Sequence, residues 1–397
     1  VFRGLVERRA LVYSDHLNDN QRVVRLKGVV VVGQYTSALE REIVDMRAQH
    51  ESFVRTGAQW SLRALFSTPE CDIAEYCRGF APSPFGTEAC AEVERICRAQ
   101  SIWLEPGGPH YNSMTPYLHP GAVTAERLTI IGLFNAILFW LNDTVGREKF
   151  GHLDSAEQER ARLAADRMCR LLESGTLPGA PSSLETATQD FLARLSGLAE
   201  PRWLEEFLKS TVEHLRTAIR DQNARSRGDI LSVAEYIDLR AEVSGMYPAI
   251  ALCEFGRDAY LPWERLTEAG IADDLRRLRV LTAEIGALMN DMFSFEKECI
   301  VDRSDFNLIP ICLLNRPGAG LAEAVHEAAE IVRDRLDEFR SLHDRVVERY
   351  AGVDGDIGAA LRVHLADLVA CVQATWVWQL TTSRYKGASV FEENTPS

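Results

Sequence analysis

The chain has no uninterrupted run of about 18 apolar residues, so no membrane span is expected. It is short of basic residues: 44 Lys and Arg stand against 58 Asp and Glu, a formal net charge of −14. That balance speaks against nucleic acid as a partner, because a phosphate backbone requires a basic stripe. It leaves phosphate-bearing small molecules open, since metal ions held by carboxylates invert the local charge of an acidic cleft. None of the nine cysteines forms a CxxC pair. Their odd number and loose spacing argue against a disulfide framework and a zinc site, and read as reduced, mostly buried thiols in a cytoplasmic protein. The opening VFRGLVERRALVYSD lacks the apolar core and small-residue cleavage site of a signal peptide. It also lacks an initiator Met, so the native start is expected to lie upstream. There is no repeat at 30–50 residues, which disfavours a helical solenoid.

What is present is ordinary for a folded protein: 397 residues, 46% hydrophobic and 26% charged, enough to bury a sizeable core in one large unit or two smaller ones. Apolar residues recur at three- and four-residue spacing over 124–140, 155–174, 202–224, 276–299, 321–349 and 358–385, which predicts helices and an all-α fold class. Breakers separate them at Pro178 and Pro181, Arg227 and Gly228, Gly256, Pro262, and Pro317 to Gly320. The first 115 residues are less periodic. Residues 23–32, VVRLKGVVVV, fit a short strand or a buried helix, while 79–86 and 106–116, rich in Gly and Pro, read as loops.

The pattern with most chemical content is NDMFSFEKE, residues 290–298. Asn290, Ser294 and Glu298 stand at i, i+4 and i+8, so a helix lays an amide, a hydroxyl and a carboxylate along one stripe. All three offer oxygen, the donor that magnesium takes while bridging protein groups to substrate phosphates. Lys297, one residue away, can reach a phosphate. The plainer reading is the polar face of a surface helix. Against it stand the apolar neighbours Leu281, Ile285, Leu288, Met289, Met292 and Phe293.

Asn142 and Asp143 close the very apolar stretch IIGLFNAILFWL, 130–141, and Glu148 follows about a turn and a half later. Burying an Asn-Asp pair there is costly without partners or metal; equally, Asn and Asp with Gly146 nearby make an ordinary helix C-cap. Further on, Arg384 and Tyr385 close the apolar helix that carries Trp376 and Trp378. A guanidinium fork and a phenol suit phosphate, and a basic residue also suits a helix C-terminus for its own sake. Arg240 precedes Ser244 and Gly245 in EYIDLRAEVSG, where Gly inside a helical pattern implies a break or the close approach of a ligand.

Together these segments resemble the microbial class I terpene synthases. The family's metal motif, (N/D)DxxSxxxE with Lys before the Glu, is matched by 290–298 at every fixed position. Its later arginine–tyrosine pair is matched by Arg384 and Tyr385. LSVAEYIDLRAEVSG, 231–245, is similar to the segment that holds a diphosphate-sensing arginine and a helix-break glycine, here Arg240 and Gly245. DQNAR, 221–225, with Gly228 after it, and DRSDFNLIPICLLN, 302–315, look like other recurring segments. The resemblance runs from about 117 to 386. It departs at the first metal motif, DDxxD or DDxxxE in the family, where this chain has Asn142 and Asp143 and displaces the third acid to Glu148. It departs again after Arg240, where Ala241 stands in place of a second arginine.

The resemblance implies an antiparallel α-helical bundle of the class I isoprenoid synthase type over 116–390, an extension or helical layer over 1–115, and a flexible tail at 391–397. It implies a magnesium-dependent enzyme that ionises a linear isoprenyl diphosphate and cyclises the carbocation to a terpene hydrocarbon or alcohol. Three Mg2+ ions would bridge Asn142, Asp143, Glu148, Asn290, Ser294 and Glu298 to the diphosphate, with hydrogen bonds from Arg240, Lys297, Arg384 and Tyr385. Phe134, Phe139, Trp140, Phe293 and Trp376 are the aromatic candidates for the pocket wall. Chain length and the modest 8% of aromatics lean the substrate towards geranylgeranyl diphosphate, with farnesyl diphosphate next, and a homodimer is the expected assembly. A chain-elongating isoprenyl diphosphate synthase would need a second DDxxD where NDMFSFEKE stands. A class II cyclase would need DxDD, and Ala272, Asp273 and Asp274 lack the leading Asp. A non-catalytic helical binding protein of the same fold stays open because of the altered first motif.

Overall fold

The computed structural model describes residues 21–144, 153–177, 179–350 and 355–395. The chain separates into two units, Val1–Asp45 and Met46–Ser397, rather than at the 115/116 boundary expected from the sequence. In the first unit the described part lies in the helix Gln21–Thr56 (α1), which takes in the stretch 23–32 left open between strand and helix.

The second unit continues with Leu62–Phe66 (α2), Ile73–Tyr76 (α3), Gly86–Ala99 (α4), Gly108–Leu118 (α5) and Ala125–Thr144 (α6). Then come Ser155–Ser174 (α7), Ser183–Leu198 (α8), Pro201–Ala218 (α9), Ala224–Arg227 (α10), Val233–Val243 (α11) and Met246–Arg257 (α12). Trp263–Glu268 (α13), Ala272–Phe295 (α14), Leu308–Asn315 (α15), Leu321–Tyr350 (α16) and Gly355–Thr381 (α17) complete the series. Among the described residues there is no strand; the only bridges pair Trp60 with Phe391 and Thr68 with Cys71.

Local chemistry sets the boundaries. Asp154, Ser182 and Ser232 each open a helix with a capping box closed by Glu157, Glu185 and Glu235, which satisfies amides that the first turn would leave unpaired. Residues 106–116, expected to be a loop, fall largely in α5. Pro109 stands in its first turn, where a missing N–H costs nothing, so a proline there signals a helix start. The single helix expected over 202–224 is broken, and α9 ends at Ala218.

The core sits around α6 and α14. On α6, Leu128, Ile131, Phe134 and Leu141 are buried, and α4, α5 and α8 pack on it, so residues 86–118 lie in the main unit. Along α14, Leu275, Leu278, Leu281, Ile285, Leu288, Met292 and Phe295 are fully buried. It is flanked by α11, α12, α16 and α17. Asp273, Asp274, Arg276, Arg277 and Arg279 place most of its charged groups in the first two turns, and each buried apolar side chain contributes about 1.5–3 kcal/mol. Ile357–Thr381 is one helix long and apolar enough to cross a membrane by composition, which the sequence reading did not anticipate; half of its most apolar window is buried inside the protein.

The tail expected to be flexible from 391 is packed as far as residue 395. Val390, Phe391 and Asn394 are buried. The Trp60 amide donates to Val390 O at 2.8 Å and the Glu392 amide returns to Trp60 O at 3.0 Å. Glu296 fastens the segment: its buried Oε1 accepts from Ser389 Oγ and from the Val390 amide, each at 2.9 Å. A short apolar patch at 390–391 thus outweighs the polar residues around it. Replacing Glu296 with Ala strands the buried Val390 amide, so Glu296→Ala should lower the free energy of unfolding by about 2 kcal/mol, read as a lower urea midpoint at unchanged slope.

Candidate active site

The helix carrying NDMFSFEKE is not uniform. α14 ends at Phe295 and runs on as a π-helix, Glu296–Val301. Asn290 and Ser294 keep α-helical spacing, and the wider turn re-aims Glu298. Carbonyls on either side of the change are held from elsewhere: Asn394 Nδ2 donates to Phe293 O at 2.7 Å and Arg47 Nε to Cys299 O at 3.0 Å.

A cavity of about 170 Å³ opens between α5, α6, α9, α11, α12, α14 and α17. Leu118, Leu138, Phe139, Leu141, Ala249 and Trp378 supply much of its apolar wall, and Asn142 and Asn290 bring polar groups to it from α6 and α14. Glu298, Arg240, Gly245, Arg384 and Tyr385 line it as well. Eight of the residues singled out in the sequence, Phe139 among them, therefore meet at one cavity.

Asn290 is held by three partners. Its Oδ1 accepts from Arg240 Nη2 at 3.2 Å, and its Nδ2 donates to Gln379 Oε1 at 3.1 Å and Tyr385 Oη at 3.0 Å. Glu298 Oε2 accepts from Asn307 Nδ2 at 3.2 Å. Between them in sequence, Ser294 Oγ is buried and has no hydrogen-bond partner among the described residues. An orphaned hydroxyl costs about 1–3 kcal/mol, and contact with a cation would satisfy it. Amide, hydroxyl and carboxylate oxygens fit a hard divalent ion. With one carboxylate the set is weak by itself: among the described residues no three His, Cys, Asp or Glu side chains are grouped so as to hold a metal. Ligand oxygens from a bound anion would have to complete the shell.

Asp291, the second residue of the motif, faces the other way. It is fully buried; Oδ1 accepts from Arg240 Nε at 2.7 Å, and Oδ2 accepts from Tyr236 Oη and from the Leu308 amide at 3.0 Å. Burial opposes the charge on Arg240, yet Asp291, Tyr236 and Glu298 hold its guanidinium above the ordinary arginine value. Arg240 is therefore committed to the interior through Nε and meets the cavity through the terminal nitrogen that Asn290 receives.

Asn142 and Asp143 lie in the last turn of α6, and of the two Asn142 lines the cavity. Asn142 Nδ2 donates to Asp143 Oδ1 at 3.3 Å, and Asp143 Oδ2 stands 3.6 Å from Arg384 Nη1. Arg384 lies over the Tyr111 ring, 4.6 Å from its centroid, and donates to Tyr111 Oη at 2.6 Å. Arg384 and Tyr385 do not end the helix as expected; they follow α17 in a turn, and through Asp143 and Asn290 they bridge the two motifs. Lys297 is turned to Asp302, 3.1 Å away. Gly245 separates α11 from α12 with φ of +82°, and no atom lies within 4 Å of where a Cβ would stand, so backbone conformation and not space demands glycine there. Glu148 lies outside the described residues.

Of the five aromatic candidates only Phe139 reaches the cavity wall. Phe134, five residues earlier and so about 140° round the helix, packs on Phe191 and Phe207. Phe293 meets Trp376 edge-on at 5.7 Å in the core, and Trp140 packs at the edge of the core cluster around α6. Sequence reasoning missed Tyr111, Tyr236, Asn307 and Gln379, none of which carries a spacing signal. It also missed the soft contact at Gly286, where a Cβ would come 2.7 Å from Met246 Cε. Breaking a buried ion pair by removing one partner costs about 3–5 kcal/mol. Asp291→Ala should therefore lower stability by about that amount in chemical denaturation, a larger loss than any single change at Asn290, Ser294 or Glu298.

A family model described as terpene synthase family 2, C-terminal metal binding, matches residues 133–338, slightly more than half the chain. Sesquiterpene synthase 1 of Postia placenta is 23% identical over 205 residues, 52% of this chain and 58% of its own length, so the chain spans less than two thirds of that relative. The (2Z,6E)-hedycaryol synthase of Kitasatospora setae is 26% identical over 320 residues, 76% of this chain and 90% of its own. Among solved structures, α-eudesmol synthase superposes with a TM-score of 0.63 at 20% identity, over 76% of this chain and 97% of that one. That last likeness speaks for the all-α bundle.

Proposed function

The chain belongs to terpene synthase family 2, and from that premise we propose that it ionises a linear isoprenyl diphosphate at the polar rim of this cavity, cyclises the carbocation inside it, and releases diphosphate. The observation that carries the reading is the buried Ser294 Oγ, without a hydrogen-bond partner among the described residues and placed between Asn290 and Glu298 in sequence, on a helix whose Asn290 lines the cavity together with Arg384 and Tyr385. Asn290, Ser294 and Glu298 would hold divalent ions on one side, with Asn142 and Asp143 on the other. Those ions, three Mg2+ in this reading, supply Lewis-acid charge to the leaving diphosphate. The chain's own donors do the rest. Arg384, Tyr385 and the cavity-facing end of Arg240 orient the diphosphate and meet the charge that grows as its C–O bond breaks. Lys297 joins them once it leaves Asp302.

The apolar wall keeps bulk water from the cation, and the Phe139 and Trp378 faces each stabilise passing positive charge by about 0.5–2 kcal/mol. For the substrate, the relative named as a sesquiterpene synthase supports fifteen-carbon farnesyl diphosphate, whereas chain length and aromatic content favour twenty-carbon geranylgeranyl diphosphate. We take the fifteen-carbon chain first.

Incubation with farnesyl, geranylgeranyl and geranylfarnesyl diphosphates plus Mg2+, followed by gas chromatography with mass detection, should give a fifteen-carbon cyclic product. Longer diphosphates formed with added isopentenyl diphosphate would mean chain elongation instead. Asn290→Ala and Glu298→Ala should each abolish turnover while the far-ultraviolet helical signal persists; full activity in either variant refutes the metal assignment. Because each motif has so little free negative charge, Mg2+ alone should bind weakly, and calorimetry should find its affinity raised tenfold or more by inorganic pyrophosphate, a gain lost in Glu298→Ala.

A further inference from the structure

Deep in the cavity stand two polar side chains that neither metal nor diphosphate explains. Asn135 lies on α6 seven residues before Asn142, roughly 10 Å further along the axis, and Thr375 lies on α17 one turn before Gln379, which bonds Asn290. Both are buried and both line the cavity. One N–H of Asn135 and the hydroxyl hydrogen of Thr375 are already used. Asn135 Nδ2 donates to Thr115 Oγ1 at 2.9 Å, and Thr375 Oγ1 donates to Cys371 O at 3.0 Å. What both still offer is an acceptor oxygen, and Asn135 keeps a second N–H besides. Gln379 is already engaged at both ends of its amide: its Oε1 receives Asn290 and its Nε2 is given to Thr375 O. A buried amide in an apolar wall is costly without partners, and a cavity water is stable where two or more polar groups hold it.

We infer that Asn135 and Thr375 hold one water molecule against the hydrocarbon chain and that the enzyme's main product is a cyclic alcohol. This deepens the cyclisation reading and rests on it. A water that donates both hydrogens to two acceptors keeps its oxygen lone pair free. That pair forms the C–O bond to the cationic carbon, and the resulting oxonium loses its proton to the departed diphosphate. The sum is isoprenyl diphosphate plus water giving alcohol, diphosphate and a proton, with no change of oxidation state. Asn135 is thus a positioning residue for the water.

The experiment is product analysis in water enriched in oxygen-18, comparing the unaltered chain with Asn135→Leu and Thr375→Val. The unaltered chain should give an alcohol carrying the heavy isotope. The alcohol share of total product should fall at least tenfold in Asn135→Leu and several-fold in Thr375→Val, with hydrocarbons in its place. A general loss of packing lowers all products together and does not move that ratio. Hydrocarbons alone from the unaltered chain, an alcohol without the isotope, or an alcohol share unchanged in both variants would overturn the inference and leave cyclisation standing. No diphosphate release from any isoprenyl diphosphate would overturn the cyclisation reading itself, and this inference with it.

Discussion

A guanidinium sealed inside a protein must be matched by a carboxylate, and the pair formed by Arg240 and Asp291 is the constraint on which the site's geometry depends. Both groups are buried, so the Coulomb attraction is little screened, and neither can move without stranding the other. The pair joins α11 to α14 and, through the Leu308 amide, the start of α15. It also fixes the rotation of α14: with Asp291 turned inward, Asn290 is presented to the cavity. A buried ion pair thus decides where Asn290 points.

The stripe at Asn290, Ser294 and Glu298 was legible because α-helical spacing places polar groups on one face, and the structure brings Asn290 and Glu298 to one cavity. The π-helix that re-aims Glu298 was not legible, since no residue type marks it; it is sustained by side chains from Arg47 and Asn394, distant in sequence. The all-α class followed from periodicity. The loop reading at 106–116 failed because prolines near a helix start were taken as breakers, and with it Tyr111, the ring beneath Arg384, was lost from view. The tail failed for a related reason: two apolar residues, Val390 and Phe391, decide its fate through contacts some 330 residues away. Aromatic periodicity alone could not separate Phe139 in the wall from Phe134 in the core.

The acidic balance of the chain takes on a different meaning at the site. Although acids outnumber bases overall, the two motifs at the cavity rim are poor in available negative charge: Asn142, Asn290 and Ser294 are neutral, and Asp143 faces Arg384. The site is close to electrically balanced before any ligand arrives. In the proposed reaction, metal and diphosphate would be each other's best partners there, with the protein as the frame that orients them.

Where Gly286 meets Met246, the smallest residue is set against one of the most pliable side chains, an unbranched thioether with freely turning bonds. The cavity wall is therefore rigid on the side of the ion pair and yielding on this one. Small changes in bulk at that seam can redraw the mould while the buried charges and the helices they lock stay in register, so product diversity can arise in such a scaffold without a matching loss of foldedness.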